Sequence, residues 1–462
     1  MFSFGRNQDD VLFGSRVLVM GFGRQGQALA RWLPTVGARV IVTDRRSEAQ
    51  IEADLTTFPN MQFVLGGHPL TLLDESDLIC VSGGIPLTLP IIEEAIKRKI
   101  PVTNDAQLFM ERSPAPVIGI TGSAGKTTTT TLVGKMLKNA GITTWIGGNI
   151  GNVLLDVMVG IQSDHQVVME LSSFQLELMH TSPRIAAVLN ITPNHLDRHG
   201  NMENYLRAKA HIVANQSRND IAILGHDDAG SLSLDTLVQG NKVWFSKREM
   251  VNDGAFMVGQ RLAVTGLSSV DGDPHIICEA SEIPLRGEHN VDNVLAACAI
   301  AGCVGVSHEV MRETILNFKA VPHRLEVVRE LEGVTYVNDS IATAPERTLA
   351  ALHSYDEPLV LLAGGADKKL PWEPMIAVAL EKCRHIVAFG RDGDLVVHAV
   401  KKIAGSLDDV TRVETLVDAV ALACNTAEAG DIVLLSPGGT SYDAYEDFEA
   451  RGEHFRQLVM AL

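Results

Sequence analysis

Short unbroken apolar runs, each closed by a glycine-bearing or polar turn and followed by helical spacing, recur along the chain. Runs of that kind suit strands buried on both faces of a parallel sheet. In the first quarter the pattern predicts strands at Arg16–Met20, Arg39–Val42 and Leu78–Val81, a helix over Gln27–Leu33, and a further βα repeat over Ile91–Lys99 and Val102. The middle of the chain predicts strands at Val117–Ile120, Gln166–Met169 and Ala186–Asn190, a helix after Lys126, and another over Met202–Asn215. From about Val321 a third series begins, with strands at Val334–Val337, Pro358–Leu362, His385–Phe389 and Ile432–Leu435 and helices between them. Alternation of this sort predicts an α/β protein.

The turns between these elements carry the chemistry. Val117–Ile120 runs into Gly122-Ser123-Ala124-Gly125-Lys126-Thr127 and then a Thr-rich helix. Strand, glycine loop and helix together form the context in which a phosphate-binding loop is credible. Loop N–H groups and the helix N-terminus make an anion site; Lys126 would reach the β- and γ-phosphates, and the Thr127 hydroxyl would ligate Mg²⁺. The glycine that the common pattern places further back is absent, since Ile120 or Thr121 occupies that place. The competing reading is a tight glycine turn without a ligand. Nearer the N-terminus, Gly21-Phe22-Gly23-Arg24-Gln25-Gly26 follows a strand, and Asp44 lies at the end of the next one. This is the G-x-G-x-x-G fingerprint. It suits NAD, but equally the phosphates of another nucleotide, with Asp44 bonding a base or a ribose. A second turn, Ser82-Gly83-Gly84, lies at the carboxyl edge where open α/β sheets bind ligands.

Two further strand ends carry polar groups. Glu170 closes the strand after the Gly147-Gly148-Asn149 turn and suits a Mg²⁺ ligand; its alternative is a helix N-terminal acid favoured by the dipole. His195 follows the next strand and would alone read as a satisfied loop histidine. Because both residues close neighbouring strands, they are expected to face one site. The helix after His195 carries Lys209.

Composition narrows the field. A formal charge of -17 argues against a nucleic-acid binder, whose footprint is basic, yet a few local cations can still hold an anionic substrate. Six scattered cysteines without a C-x-x-C pair read as small buried hydrophobes in a reducing compartment. The N-terminus lacks the apolar core of a signal peptide, and no run of about twenty apolar residues occurs. A soluble, cytoplasmic, monomeric protein with no membrane span is expected.

Taken together, Gly122–Thr127, Gly147-Gly148-Asn149, Glu170–Gln175, Asn194–Arg198 and Tyr205–Lys209 resemble, in order, the Mur ligases, ATP-dependent amide-bond-forming enzymes of peptidoglycan synthesis. Gly287–Asn293, Pro322–Glu326 and Asn338-Asp339-Ser340 agree, as do Gly364-Gly365, Asp367-Lys368, Ser441-Tyr442-Asp443 and Phe448–Gly452 near the C-terminus. The tail is most similar to the members that add D-glutamate to UDP-N-acetylmuramoyl-L-alanine through an acyl phosphate. The resemblance implies three domains: a Rossmann-like domain over 1–112 for the UDP substrate, a P-loop ATPase-type domain over 113–320 beyond the linker Ser113-Pro114-Ala115-Pro116, and a Rossmann-like, doubly wound domain over 321–462 for the amino acid.

It also implies roles. Gly122, Ser123, Ala124, Gly125, Lys126, Thr127, Thr128, Asn293, Arg324 and Asp339 would bind ATP. Thr127, Glu170, His195 and a CO₂-derived carbamate on Lys209 would hold two Mg²⁺ ions; Lys126, Glu170, His195, Lys209 and Arg324 would be catalytic. Gly23, Arg24, Gln25, Asp44, Arg45, Ser82, Gly83 and Asn149 would hold the UDP substrate, which displaces the NAD reading. Thr343, Lys368, Ser441 and Phe448 would form the glutamate pocket. The chain departs from the commoner pattern at Ile341, where many members carry a lysine beside the ATP and glutamate sites, and at Gly83, often a proline. The rival readings are the L-glutamate-adding variant, another Mur-type or folylpolyglutamate-type ligase, an NAD-dependent oxidoreductase, and a non-catalytic nucleotide-binding regulator.

Overall fold

In the computed structural model the described residues are 10–51, 53–151, 153–266, 273–285, 287–319, 321–367 and 370–462. Three sheets organise them. The first is wholly parallel, with β1 (Arg16–Met20), β2 (Arg39–Asp44), β3 (Gln62–Leu65), β4 (Leu78–Val81) and β5 (Val102–Thr103) in the order β3-β2-β1-β4-β5. The second holds β6 (Val117–Thr121), β7 (Thr144–Gly148), β8 (Gln166–Glu170), β9 (Ile185–Val188), β10 (Ile221–Gly225), β11 (Asn241–Ser246), β12 (Gly254–Val258), β13 (Arg261–Thr265) and β14 (His275–Glu279). Its order is β14-β13-β12-β11-β10-β9-β6-β8-β7, parallel up to β12 and antiparallel beyond it. The third holds β15 (Glu326–Leu331), β16 (Val334–Asn338), β17 (Leu359–Gly364), β18 (Cys383–Phe389), β19 (Val410–Arg412) and β20 (Ile432–Gly438), in the order β15-β16-β20-β17-β18-β19. Only β15 runs antiparallel there.

These strands form where the apolar runs place them because their residues are covered on both faces: all five residues of β6 and all seven of β20 are buried. Each fully buried Val, Leu or Ile contributes about 1.5–3 kcal/mol relative to exposure. The run beginning at Pro358 starts as a strand at Leu359, and the Pro358 carbonyl accepts the Ile432 amide (3.0 Å). The helix expected from Gln27 begins three residues earlier, at Arg24, directly after the glycine turn. The antiparallel β12–β14 extension had no counterpart in the sequence reading.

The chain forms two compact units, one comprising residues up to Glu282 with Asp292–Ile315, the other Ile283–Val291 with Leu316–Leu462. Within the first unit one hydrophobic core runs through both sheets, joining Val17, Leu29 and Phe109 to Leu154, Val167 and Leu176. Among the described residues no helix is long and apolar enough to cross a membrane.

Polar contacts fix the loops of the first sheet. Asp44, 5% exposed, accepts the Phe22 amide (2.7 Å) and a two-point interaction from Arg46 (3.0 and 2.8 Å). Burial would raise its pKa, but the Arg46 and backbone hydrogen bonds prevail and hold it at about 2. Gln25 Oε1 accepts the Gly83 amide (2.9 Å), and Ser82 Oγ donates to the Gly21 carbonyl (3.2 Å), so the two turns are stitched together. A side chain at Gly26 would place Cβ 1.8 Å from the Gly21 oxygen.

Gly26→Ala is therefore expected to cost about 1–3 kcal/mol or more in urea unfolding. Gly84→Ala, with nothing within 4 Å of the added Cβ, should change stability by less than about 0.5 kcal/mol. Equal midpoints for the two variants would refute the close approach. For Asp44→Asn, a loss of about 1.5–3 kcal/mol is expected at pH 7. Asp44 has a folded pKa below its unfolded one, so its stabilisation is complete above about pH 4 and disappears as pH falls through about 2. The difference between wild type and variant should thus shrink on acidification from pH 5 to 3; a constant difference would contradict the ion pair.

Candidate active site

The glycine loop leaves β6 at Thr121 and enters the helix Lys126–Asn139 through Gly125, whose φ of 83° suits glycine. A Cβ there would meet Asn293 Oδ1 at 2.1 Å, so Asn293 lies against the loop. Ser123 and Ala124 are committed to the scaffold. Ser123 Oγ donates to the Thr192 carbonyl (2.8 Å), accepts the Thr192 amide (2.9 Å) and lies 2.9 Å from the Tyr205 hydroxyl. The Ala124 amide donates to Asn190 Oδ1 (2.9 Å). Thr128 is buried on the first turn of the helix, while Lys126 Nζ folds back onto the carbonyls of Gly122 (2.9 Å) and Ser123 (3.4 Å).

Glu170, 1% exposed at the carboxyl end of β8, is gripped from two sides. Thr127 Oγ1 donates to its Oε2 and Asn149 Nδ2 to its Oε1, both at 2.9 Å. The helix that follows, Ser173–Leu176, is capped by Ser172 with Gln175 reciprocating, so Glu170 is not its capping acid. A hydroxyl and a carboxylate converging beside a phosphate loop are the hard oxygen donors that Mg²⁺ prefers, with substrate phosphate and water completing its shell. The donor set fits. Among the described residues, no group of three or more His, Cys, Asp or Glu side chains gathers into a metal cage.

Lys209 lies inside this cluster, 1% exposed. Its Nζ donates to the Gly122 carbonyl (2.9 Å) and Thr121 Oγ1 (3.2 Å), 4.9 Å from the centre of the Tyr205 ring. Burial drives its pKa well below the ordinary lysine value, the Lys126 charge lowers it further, and Glu170 opposes only in part. The site at the back of the loop therefore disfavours a charged lysine.

His195 takes φ 53° at the start of the turn Leu196–His199. Its ring meets Phe174 edge-on at 5.1 Å; Phe174 stacks on His199 (5.2 Å, 3°) and lies under the Arg198 guanidinium (4.9 Å). His199 Nε2 lies 3.0 Å from Ser173 Oγ, and Arg198 Nη1 donates to the Gly84 carbonyl (3.0 Å). Phe174, Arg198 and His199 thus position the His195 turn. The sequence assigns none of the three a role; the only local signal is the four-residue spacing of His195 and His199, and Phe174 comes from a distant segment.

At the first sheet's edge, Gly23, Arg24 and Arg45 are exposed, whereas Asp44, Ser82, Gln25 and Gly83 serve the loop contacts described above. Arg46, not anticipated, is the partner of Asp44.

In the second unit, Asp339 follows β16, buried, accepting from Ser436 Oγ (2.8 Å) and the Leu325 amide (3.2 Å). Burial raises its pKa to about 6, against the pull of the Ser436 bond and the Arg324 charge. Arg324 sits between His323 and Leu325, both at positive φ (62° and 42°), a strained pair of the kind found where loops serve function. Ser441 is buried, and its carbonyl accepts the amides of Ala444 and Tyr445. Phe448 opens the C-terminal helix, and its carbonyl accepts Ser340 Oγ (2.8 Å). Thr343 occupies the half-buried loop after β16. Lys368 lies outside the described residues. Arg451 was quoted without a role; 1% exposed, its guanidinium binds Ser340 Oγ (3.0 Å), the Ser340 carbonyl (2.9 Å) and the Gly439 carbonyl (3.2 Å).

Comparison with known proteins gives the family. Residues 15–104 match the model of a Mur ligase MurD-like N-terminal domain, 120–301 that of a Mur ligase middle domain, and 323–439 that of a Mur ligase glutamate ligase domain. A UDP-N-acetylmuramoylalanine–D-glutamate ligase of Pelotomaculum thermopropionicum is 39% identical over 450 residues, covering 97% of this chain and 98% of the relative. A protein of the same name from Symbiobacterium thermophilum is 41% identical over 452 residues, covering 97% and 98%. The solved UDP-N-acetylmuramate-alanine ligase of Thermotoga maritima shares the fold, with a TM-score of 0.62 at 18% identity over 97% of this chain and 99% of that one. With end-to-end relatives well above 30% identity and three matching domains, this chain belongs to the Mur ligase family.

Proposed function

We propose that the protein joins D-glutamate to UDP-N-acetylmuramoyl-L-alanine, with ATP as the energy source. The observation that carries ATP-dependent activation is the convergence of Thr127, Glu170 and Asn149 beside the Lys126 loop. The substrates follow from the names of the full-length relatives.

A carboxylate is a poor electrophile in water. The alanyl carboxylate attacks the γ-phosphorus, ADP leaves, and an acyl phosphate forms. The glutamate amine then attacks the acyl carbon, orthophosphate leaves, and the amine gives up a proton. Negative charge builds on phosphoryl oxygens and then on the oxyanion, so the protein's task is to hold cations there. Lys126 would meet the phosphates from the loop, and Arg324 is proposed as a further cation for them. Magnesium, when bound, would supply Lewis-acid neutralisation of the phosphoryl oxygens. Thr127, Glu170, His195 and a carbamylated Lys209 are the residues proposed to hold it.

The buried state of Lys209 supports the carbamate. An uncharged amine adds to CO₂ by forming an N–C bond and losing a proton, which an ammonium cannot do. The product is an anion beside Lys126, whose charge would favour it. Arg24, Arg45 and the two stitched turns would receive the UDP group; Thr343, Lys368, Ser441 and Phe448 would surround glutamate. The domain limits 1–112, 113–320 and 321–462 assign one substrate to each part.

Phosphate release should be measured with ATP, Mg²⁺ and UDP-N-acetylmuramoyl-L-alanine, with D- and L-glutamate in separate reactions. Turnover dependent on D-glutamate is expected; turnover with L-glutamate alone would overturn the stereochemical assignment, and none with either would overturn the substrate assignment. Lys209→Ala should lower ligation by about 10²-fold or more, with partial recovery in short-chain carboxylic acids that stand in for the carbamate. Full activity in that variant would refute the carbamate.

A further inference from the structure

The loop after β16 lies at the carboxyl edge of the parallel strands β16 and β20, the edge at which open α/β sheets bind ligands. It reads Asp339-Ser340-Ile341-Ala342-Thr343-Ala344-Pro345-Glu346-Arg347. Between Asp339 and Glu346 no residue carries a charge, so without Arg347 this ligand-facing loop would offer only acids to an anionic substrate. The buried cation beneath it cannot compensate. Arg451 is 1% exposed and committed to Ser340 and Gly439.

The loop is also held firmly. The Ile341 amide donates to the His323 carbonyl (3.1 Å), the Thr343 amide to the Ile341 carbonyl (2.8 Å), and the Gly438 amide to the Ala342 carbonyl (2.8 Å). Arg347 sits exposed in the first turn of the helix Pro345–Leu352 and reaches back over this loop. Its Nη1 donates to the Ile341 carbonyl (3.2 Å), its only side-chain hydrogen bond among the described residues. Most of the guanidinium's donors are therefore uncommitted. Its charge acts on Asp339 alongside that of Arg324.

We propose that Arg347 is a substrate-binding residue that supplies this loop with the cation its Ile341 position lacks, engaging a substrate oxyanion at the carboxyl end of β16. The inference rests on the ligase reading above. The carboxylate of the incoming amino acid and a phosphate of ATP share the required chemistry, and the planar guanidinium fork matches either one in a two-point contact.

Steady-state phosphate release by the full-length protein separates the two sources. Arg347→Ala should raise KM by about tenfold, for glutamate if the oxyanion is the amino-acid carboxylate and for ATP if it is a phosphate. The KM for the UDP substrate should stay within about twofold of wild type, as should unfolding midpoints within error. Adding Ile341→Lys to Arg347→Ala returns a cation to the same loop and should recover most of the loss. Unchanged KM values for both glutamate and ATP in Arg347→Ala would overturn the inference, as would a loss that Ile341→Lys leaves untouched. If the wild-type protein turns over neither glutamate isomer, the ligase reading fails instead. Calorimetry of ATP and of glutamate binding to wild type and Arg347→Ala then decides: weakened binding of one ligand supports the role of Arg347, and equal binding of both refutes it.

Discussion

One carbonyl oxygen, that of Gly122, accepts hydrogen bonds from two lysines, Lys126 Nζ and Lys209 Nζ, each at 2.9 Å. Burial and the neighbouring Lys126 charge both disfavour the ammonium form of Lys209, and Glu170 opposes them only in part. The remaining polar geometry of the first unit follows from this constraint. Glu170 is the nearby carboxylate, oriented by Thr127 and Asn149, and its charge offsets that of Lys126 at Lys209 only in part.

Such crowding demands a rigid frame. Ser123 and Asn190 tie the loop to the end of β9, and Tyr205 closes over Ser123 from the helix that also carries Lys209. Because the first two sheets share one core, the stitched turns around Gly21 and Gly83 belong to the same body as the phosphate loop. The polar face of the helix Asp105–Arg112 reinforces this: Asn104 Nδ2 donates to the Gln175 carbonyl (2.8 Å) and Gln107 Nε2 to Thr181 Oγ1 (2.8 Å), just beyond Glu170. The first two sheets are thus joined by polar contacts as well as by their shared core.

The sequence displayed the strands and the glycine loop because unbroken apolar runs and glycine spacing are local signals. It displayed Glu170 because it ends a strand and His195 because it follows the next one along the chain, although β6 lies between those two strands in the sheet. It did not display that Asn149 grips Glu170, since that contact joins residues 21 apart whose turn and strand ends meet only in the folded sheet. Nor did it show that Ser123 serves the scaffold, that Asp44 is satisfied by Arg46, or that Phe174, Arg198 and His199 form a stack. Those depend on side-chain direction, which composition and periodicity do not encode. The β12–β14 extension escaped notice because short strands separated by polar turns give a weaker signal than a βα repeat.

The state of Lys209 links these levels. An anion arriving at the loop draws positive charge toward itself, and by that effect alone would favour reprotonation of the buried amine. Protonation would restore the like-charge conflict with Lys126 inside a site that burial already makes hostile to a second cation. Conversion of Lys209 to a carbamate removes the conflict by reversing its sign, but it then places two anions, the carbamate and Glu170, near incoming phosphate. That arrangement is stable only with further positive charge between them. Were Lys209 carbamylated, a divalent cation held by the oxygen donors on Thr127 and Glu170 would supply that charge.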